Sequence, residues 1–276
     1  MSDTSMPEFT ALVVRLEEHV ATVHLDRPDK ANALNEALWQ ELRAAMVWAD
    51  ATPEVRVVVL AGNGKHFCSG IDLAMLMGVQ QAIKDECPGR TNENLRRAIL
   101  DLQDCLTSLE RCRKPVLAAI QGACVGGGLD LVAAADLRYC SANAHFSIKE
   151  IEIGMVADVG TLQRLPKLVA PGLVREWAYT GRKIQAEEAR ACGLVNRVFD
   201  TPEALAAGVL ELARTIAAKS PLSIRGTKEM LNHARDHSVA DGLAHIATWN
   251  AAMLVSQDIQ AAMMASMSRQ TPEFRN

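Results

Sequence analysis

The chain has 276 residues, with 29 Lys+Arg against 33 Asp+Glu and a formal net charge of −4. Hydrophobic residues make up 49% and charged residues 22%, too apolar for a disordered chain and enough for one large core or a core with a small appendage. The mild acidity and the 4% aromatic content argue against a nucleic-acid-coating surface, and no run approaches the roughly 18 apolar residues of a membrane span.

Residues 11–16 (ALVVRL) and 20–25 (VATVHL) are β-branched runs separated by Glu17-Glu18-His19, which predicts a hairpin. After the turn-like Arg27-Pro28-Asp29, the spacing of Leu38, Leu42, Ala45, Met46 and Ala49 predicts a helix over 35–50. Val55 to Leu60 is almost continuously apolar, the pattern of a strand buried on both faces. The loop Gly62-Asn63-Gly64-Lys65-His66 follows, and Gly70 allows a tight bend before a helix starting near Ile71. Residues 95–112 predict a helix with Leu102, Leu106 and Leu109 on one face. Pro115 to Ile120 predicts a second buried strand, running into the glycine-rich turn 122–128 and an apolar helix from Leu129. Short strands over 137–140 and 145–148, helices over 161–169, 171–180 and 186–192, and a strand over 194–199 complete the mixed region.

From Thr201 the texture changes to three successive helices, about 202–218, 221–235 and 238–268, with no strand between them. This divides the chain into a mixed α/β core, 1–200, and an all-helical region, 201–276. The last helix is rich in Ala and Met (Met253, Met263, Met264, Met267), and so few bulky anchors suggest burial completed against a partner. Seven scattered cysteines without a CxxC pair predict buried thiols in a reducing compartment, with no disulfide framework and no metal site. The N-terminus lacks a basic segment followed by an apolar run, and no peroxisomal tripeptide ends the chain; a soluble cytoplasmic protein is expected.

The chemistry concentrates in two stretches. A glycine-rich turn from strand to helix, Gly122-Ala123-Cys124-Val125-Gly126-Gly127-Gly128, presents free backbone N–H groups at the positive end of a helix. Such a turn suits an anion, or a carbonyl oxygen that is becoming one, and taken alone it equally serves close helix–strand packing; it has neither the Lys-Ser/Thr ending of a phosphate loop nor dinucleotide spacing. Asp130 lies on the first turn of a helix apolar all round, so it is expected to be buried. Glu150 would by default be a solvated carboxylate, and Asp158 an N-cap of the helix that follows it. The second stretch, Lys65-His66-Phe67-Cys68-Ser69-Gly70-Ile71-Asp72-Leu73, offers another set of free N–H groups. Cys68 and Ser69 make poor nucleophile candidates, because no His–acid pair or G-x-S-x-G accompanies them.

Ser69 to Leu73 and Gly122 to Leu131 resemble the two oxyanion-hole segments of the crotonase (enoyl-CoA hydratase/isomerase) superfamily, and the likeness runs from about Val13 to Phe274. The resemblance implies a spiral of ββα units with a C-terminal helical oligomerisation region, and a homotrimer or homohexamer. It also implies an acyl-CoA substrate whose thioester oxygen is held by the N–H groups of Ile71 and Gly127. Contacts to the CoA thioester would come from Lys30, Ala31, Ala33, Lys65, Ser69, Gly70, Ile71, Asp72, Leu73 and Gly127. Within the superfamily, Lys149 to Pro166 is most similar to the Δ3,5-Δ2,4-dienoyl-CoA isomerase branch. Hydratases carry Glu at the position of Asp130, Glu at 150 and Gly at 158, whereas this chain has the acidic set Asp130, Glu150 and Asp158. The implied roles are Glu150 as base at C2, Asp158 as acid at C6, and Asp130 as a like charge tuning Glu150. Apolar walls at Met155, Val156 and Ala157 are expected to raise the carboxyl pKa values. No metal or redox cofactor is expected. The competing readings are an enoyl-CoA hydratase and a non-catalytic CoA- or RNA-binding relative.

Overall fold

The computed structural model describes residues 5–276. The predicted hairpin is β1 (Leu12–Glu17) and β2 (Val20–Leu25), antiparallel with Glu17 opposite Val20. Helix α1 (Glu36–Ala51) is capped by the Asn35 side chain and buries the predicted apolar face together with Trp39 and Trp48. Then come β3 (Val57–Gly62), α2 (Leu73–Ala82) and α3 (Pro88–Arg111). They are followed by β4 (Val116–Ile120), β5 (Ala123–Val125) and α4 (Gly127–Ala133). The mixed region ends with β6 (Leu137–Ser141), β7 (His145–Ser147), α5 (Thr161–Arg164), α6 (Pro171–Thr180), β8 (Ile184–Gln185), α7 (Ala186–Ala191) and β9 (Arg197–Phe199). Helices α8 (Pro202–Ala217), α9 (Pro221–Asp236), α10 (Val239–Met253) and α11 (Gln257–Ser268) close the chain.

The principal sheet has the order β1-β2-β3-β4-β6-β9 and is parallel apart from the hairpin. Its strands alternate between two cores. Val58 and Leu60 face the larger core with Leu38, Leu42 and Leu129, while Val57 and Val59 face a second cluster with Leu117, Ala119 and Tyr139. That second cluster is covered by Leu205, Val209, Ala213 and Ala217 of α8. Both faces are therefore dry, which is why β3 and β4 read as unbroken apolar runs. The change of texture near residue 200 does not coincide with the edge of the packed core, because α8 belongs to it.

Each turn of the chain gives one strand to this sheet and one extended piece to a second layer. After β2 the piece is Leu34, bridged to Ile71; after β3 it is Cys68, bridged to Cys124; after β4 and β6 it is β5 and β7. Strands β5, β7 and β8 form the second sheet. The spiral with a helical C-terminal region is thus the one the sequence implied.

Among the elements that differ from expectation, α3 starts seven residues earlier and β9 three residues later than predicted, and three further differences have a local cause. The helix predicted over 238–268 is two helices, broken at 254–256, where Ser256 accepts a hydrogen bond from Ile259 N (3.3 Å) and starts α11. The helix predicted over 161–169 is α5 followed by a 3₁₀ turn, Leu165–Lys167, because Pro166 supplies no N–H donor. The glycine-rich stretch does not pass directly from β4 to α4; it first forms β5.

Candidate active site

The two glycine-containing stretches lie against each other. Phe67 N–H donates to Gln121 O (2.8 Å), Cys68 N–H to Ala123 O (2.9 Å), and Val125 N–H to Cys68 O (3.0 Å). On the other side, Leu34 N–H donates to Gly70 O (2.8 Å) and Asp72 N–H to Leu34 O (3.0 Å). In such a parallel bridge the N–H of the residue between, Ile71, turns away from Leu34. A Cβ placed on Gly70 would lie 3.6 Å from Gly127 N, and one on Gly127 would lie 3.7 Å from Ile71 N and 2.9 Å from Leu34 Cδ1. The two N–H groups are thus close neighbours, and only glycine leaves the space between them open. Gly127 begins α4, so its N–H has no intrahelical acceptor, and neither donor has a partner among the described residues.

The loop over residues 27–34 is fastened to this point. Asn32 is fully buried; its Oδ1 accepts from Arg27 N–H (2.9 Å), and its Nδ2 donates to Asn63 O (3.0 Å) and His66 O (2.8 Å). Arg27 donates to Ala33 O and to Asp72 Oδ2 (3.1 Å). Ser69 N–H donates to Ala31 O (3.0 Å). Lys30, Ala31 and Ala33 therefore border Ser69 and Gly70, with Lys30 and Lys65 exposed. Asp72 faces the protein: its carboxylate caps α2 through Ala74 N–H (3.0 Å) and pairs with Arg27, which holds it below the usual carboxylate range. Leu73 is exposed. Sequence reading missed Arg27 and Asn32 as individual residues, because their partners stand up to 45 positions away in the chain. Cys68 is no nucleophile, since burial pushes its thiol up to about 12.

The acids converge on the same place. Strand β7 runs parallel to β5, Gly126 N–H donates to Ser147 O (3.0 Å), and the chain turns at Glu150, the first residue of a 3₁₀ turn, Glu150–Ile153. A Cβ on Gly126 would stand 3.2 Å from Glu150 Oε1. Glu150 Oε2 is buried with no hydrogen-bond partner among the described residues. Burial first, and the Asp130 carboxylate second, raise this acid to about 7, so it is not the solvated group its neighbours Lys149 and Glu152 suggest. Asp130 is fully buried: Oδ1 accepts from Thr161 N–H (2.5 Å), and Oδ2 has no partner among the described residues. Burial lifts it to about 6 against the pull of the Thr161 hydrogen bonds and Arg164.

Asp158 is partly buried, and burial raises it as well; its charge is felt by both Asp130 and Glu150. It is not an N-cap. Helix α5 starts after Gly160 without a side-chain cap, and the first free N–H, that of Thr161, is taken by Asp130. The expected apolar wall is also only partial: Ala157 is buried, Met155 is half-buried, and Val156 is 72% exposed. The raised pKa values come instead from the depth of the carboxylates and their mutual repulsion. Among the described residues no group of three or more His, Cys, Asp or Glu is placed to hold a metal ion, and no helix is long and apolar enough to cross a membrane.

The arrangement is two convergent N–H donors beside three coupled carboxylates, suited to removing a proton next to a carbonyl and returning one elsewhere. Residues 15–276 match the family model described as enoyl-CoA hydratase/isomerase. The chain is 45% identical over 268 residues to the peroxisomal Delta(3,5)-Delta(2,4)-dienoyl-CoA isomerase of Arabidopsis thaliana, covering 96% of each. It is 43% identical over 255 residues to the mitochondrial Delta(3,5)-Delta(2,4)-dienoyl-CoA isomerase of Homo sapiens, covering 92% of this chain and 78% of that protein. Among solved structures, enoyl-CoA hydratase from Bacillus anthracis superposes with a TM-score of 0.88 at 29% identity, covering 96% of this chain and 99% of that one. The enoyl-CoA hydratase of Mycobacterium tuberculosis H37Rv gives 0.83 at 27% identity, covering 96% and 98%. These relatives correct the expectation of a cytoplasmic protein, since the similar isomerases are peroxisomal or mitochondrial.

Proposed function

The chain belongs to the enoyl-CoA hydratase/isomerase family, and from that premise we propose that it is an isomerase converting a 3,5-dienoyl-CoA to the 2,4-dienoyl-CoA. The observation that carries this reading is Asp158, an acid beside Glu150 and Asp130 that caps no helix. Adding water across one double bond does not call for a third acid. Moving two double bonds does, because a proton leaves C2 and another arrives at C6, four bonds away.

The thioester oxygen sits between Ile71 N–H and Gly127 N–H, whose hydrogen bonds strengthen as the oxygen becomes an enolate. Glu150, near neutrality in its titration, takes the C2 proton. The C2–H electron pair becomes the C2=C3 bond, the C3=C4 pair moves to C4=C5, and the C5=C6 pair takes the proton of Asp158 at C6. Glu150 ends protonated and Asp158 ionised, and one proton passed back resets the site. Asp130 keeps Glu150 from ionising too readily. Lys30, Ala31, Ala33, Lys65, Ser69 and Gly70 are the residues that would contact the CoA moiety, with Lys30, Lys65 and Ser69 exposed to meet it. The chemistry requires no metal or redox cofactor.

The test is ultraviolet absorbance with a 3,5-dienoyl-CoA: isomerisation conjugates the diene with the thioester and creates a band. Hydration of a 2-enoyl-CoA removes one. The second reading, a hydratase, draws on the solved structures named above, and loss of a band with 2-enoyl-CoA but no new band with the dienoyl substrate would establish it. The family resemblance and the apolar side chains exposed on α10, on α11 and at the break between them, including Met253, Leu254, Ile259 and Met263, support a trimer or hexamer. A stable monomer in sedimentation at micromolar concentration would refute that assembly.

A further inference from the structure

We propose that Gln103 is a positioning residue for Asp158, one of three side chains on a single face of α3 that fix the backbone carrying this acid. The inference rests on the reading of Asp158 as the C6 acid. Gln103, Thr107 and Glu110 stand at helical spacing i, i+4, i+7, so they share one face. Gln103 Nε2 donates to Asp158 O (2.6 Å). Glu110 accepts from Arg164 Nη2 (2.9 Å) and Nε (3.2 Å), Thr107 Oγ1 accepts from Arg164 Nη2 (3.2 Å), and Arg164 Nη1 donates to Val159 O (3.3 Å). The carbonyls of 158 and 159 are thus both tied to α3, the first directly and the second through Arg164.

Other anchors hold the residues on either side of Asp158 and not Asp158 itself: Met155 N–H donates to Glu150 O (3.0 Å), and Ala157 and Val159 are buried in the main core. Residues 155–158 have no regular structure, and Asp158 lines a cavity of about 380 Å³, so packing does not hold it on that side. Gly160 allows the arrangement, because a Cβ there would overlap the Arg164 guanidinium. Glu150, by contrast, is placed by the β5–β7 ladder, independently of α3. Disturbing α3 should therefore affect the C6 end of the reaction and spare the C2 end. The Arg164–Glu110 pair is buried, with side chains only 13% and 14% exposed, and breaking it would strand a charge and endanger the fold. Gln103 is neutral and is the position to change.

The experiment compares Gln103→Leu, Gln103→Glu and Asp158→Asn with the wild type, each checked by circular dichroism. Two rates are read: conversion of 3,5-dienoyl-CoA by absorbance, and exchange of its C2 proton in deuterated buffer by NMR. Gln103→Leu should lower kcat for conversion roughly 10- to 100-fold, the size of a misplaced reacting group, with KM and C2 exchange unchanged. Gln103→Glu keeps the size of the side chain, and serves if the Leu variant does not fold. Its ionised form cannot donate to Asp158 O, but its protonated form can, so its kcat relative to the wild type should recover as pH falls. Wild-type conversion by both Gln103 variants, or equal losses in conversion and exchange, would overturn the inference. If Asp158→Asn converts at the wild-type rate, the reading of Asp158 as acid falls, whatever Gln103 does. If it loses conversion while both Gln103 variants keep it, only the inference falls.

Discussion

Replacing Glu150 by Gln should make the folded protein more stable above neutrality while stopping the C2 chemistry. In the native state this carboxyl is lifted from 4.5 to about 7, first by burial and then by Asp130. At ~1.36 kcal/mol per pKa unit, that interval corresponds to roughly 3 kcal/mol in favour of the neutral form. Between the two values the native state binds more protons than the unfolded chain, so stability falls as pH rises through this window. The whole cost is present above pH 7 and is relieved as pH falls toward 4.5. Gln has the same shape and no charge to desolvate, so it avoids the cost. For a chain of this size a kilocalorie moves Tm by about 2 °C, which sets an upper expectation of roughly 6 °C. Thermal unfolding followed by circular dichroism at pH 8 and pH 5 measures it: the Glu150→Gln variant should melt higher than the wild type at pH 8, and the gap should close at pH 5. Equal melting temperatures at pH 8, or a gap of the same size at both pH values, would refute the reasoning. In the same preparation, C2 exchange in deuterated buffer should be absent.

Asp130→Asn removes the like charge beside Glu150, so the midpoint at which kcat/KM rises with pH should move to lower pH; it should not reach 4.5, because burial is the larger cause. A pH–rate profile of the variant checks this. Gly127→Pro deletes one of the two free N–H donors and should cost about 10²–10³ in kcat, as in comparable oxyanion holes. Gly127→Ala is its control, since it keeps the donor but brings a Cβ to within 2.9 Å of Leu34 Cδ1; equal losses in the two variants would mean crowding and not donor loss. Asp158→Asn should abolish formation of the conjugated band while C2 exchange continues by NMR, and the opposite pattern would reverse the roles of Glu150 and Asp158.

What the sequence determined by itself was local and periodic. The helical spacing of Leu38, Leu42, Ala45, Met46 and Ala49 named the buried face of α1, and the unbroken runs of β3 and β4 announced strands covered on both sides. The glycine-rich turn was legible as a place for an anion or a carbonyl oxygen gaining charge, whereas the trio Asp130, Glu150 and Asp158 stood out only through the family resemblance. Their relation to one another was not legible, because pairing across the spiral leaves no periodic trace. Only the tertiary structure brought Cys68 against Cys124 and so set Ile71 N–H beside Gly127 N–H. It also took the Thr161 N–H away from Asp158 and gave it to Asp130, thirty-one residues earlier, so that the expected helix cap is an acid that caps no helix. Val156, apolar in sequence, stands in solvent, while Glu150, charged and flanked by charges, is half-buried with its Oε2 out of reach of water. Desolvation belongs to a position in the folded molecule, and that is why the pKa values on which the chemistry depends could not be read from the chain alone.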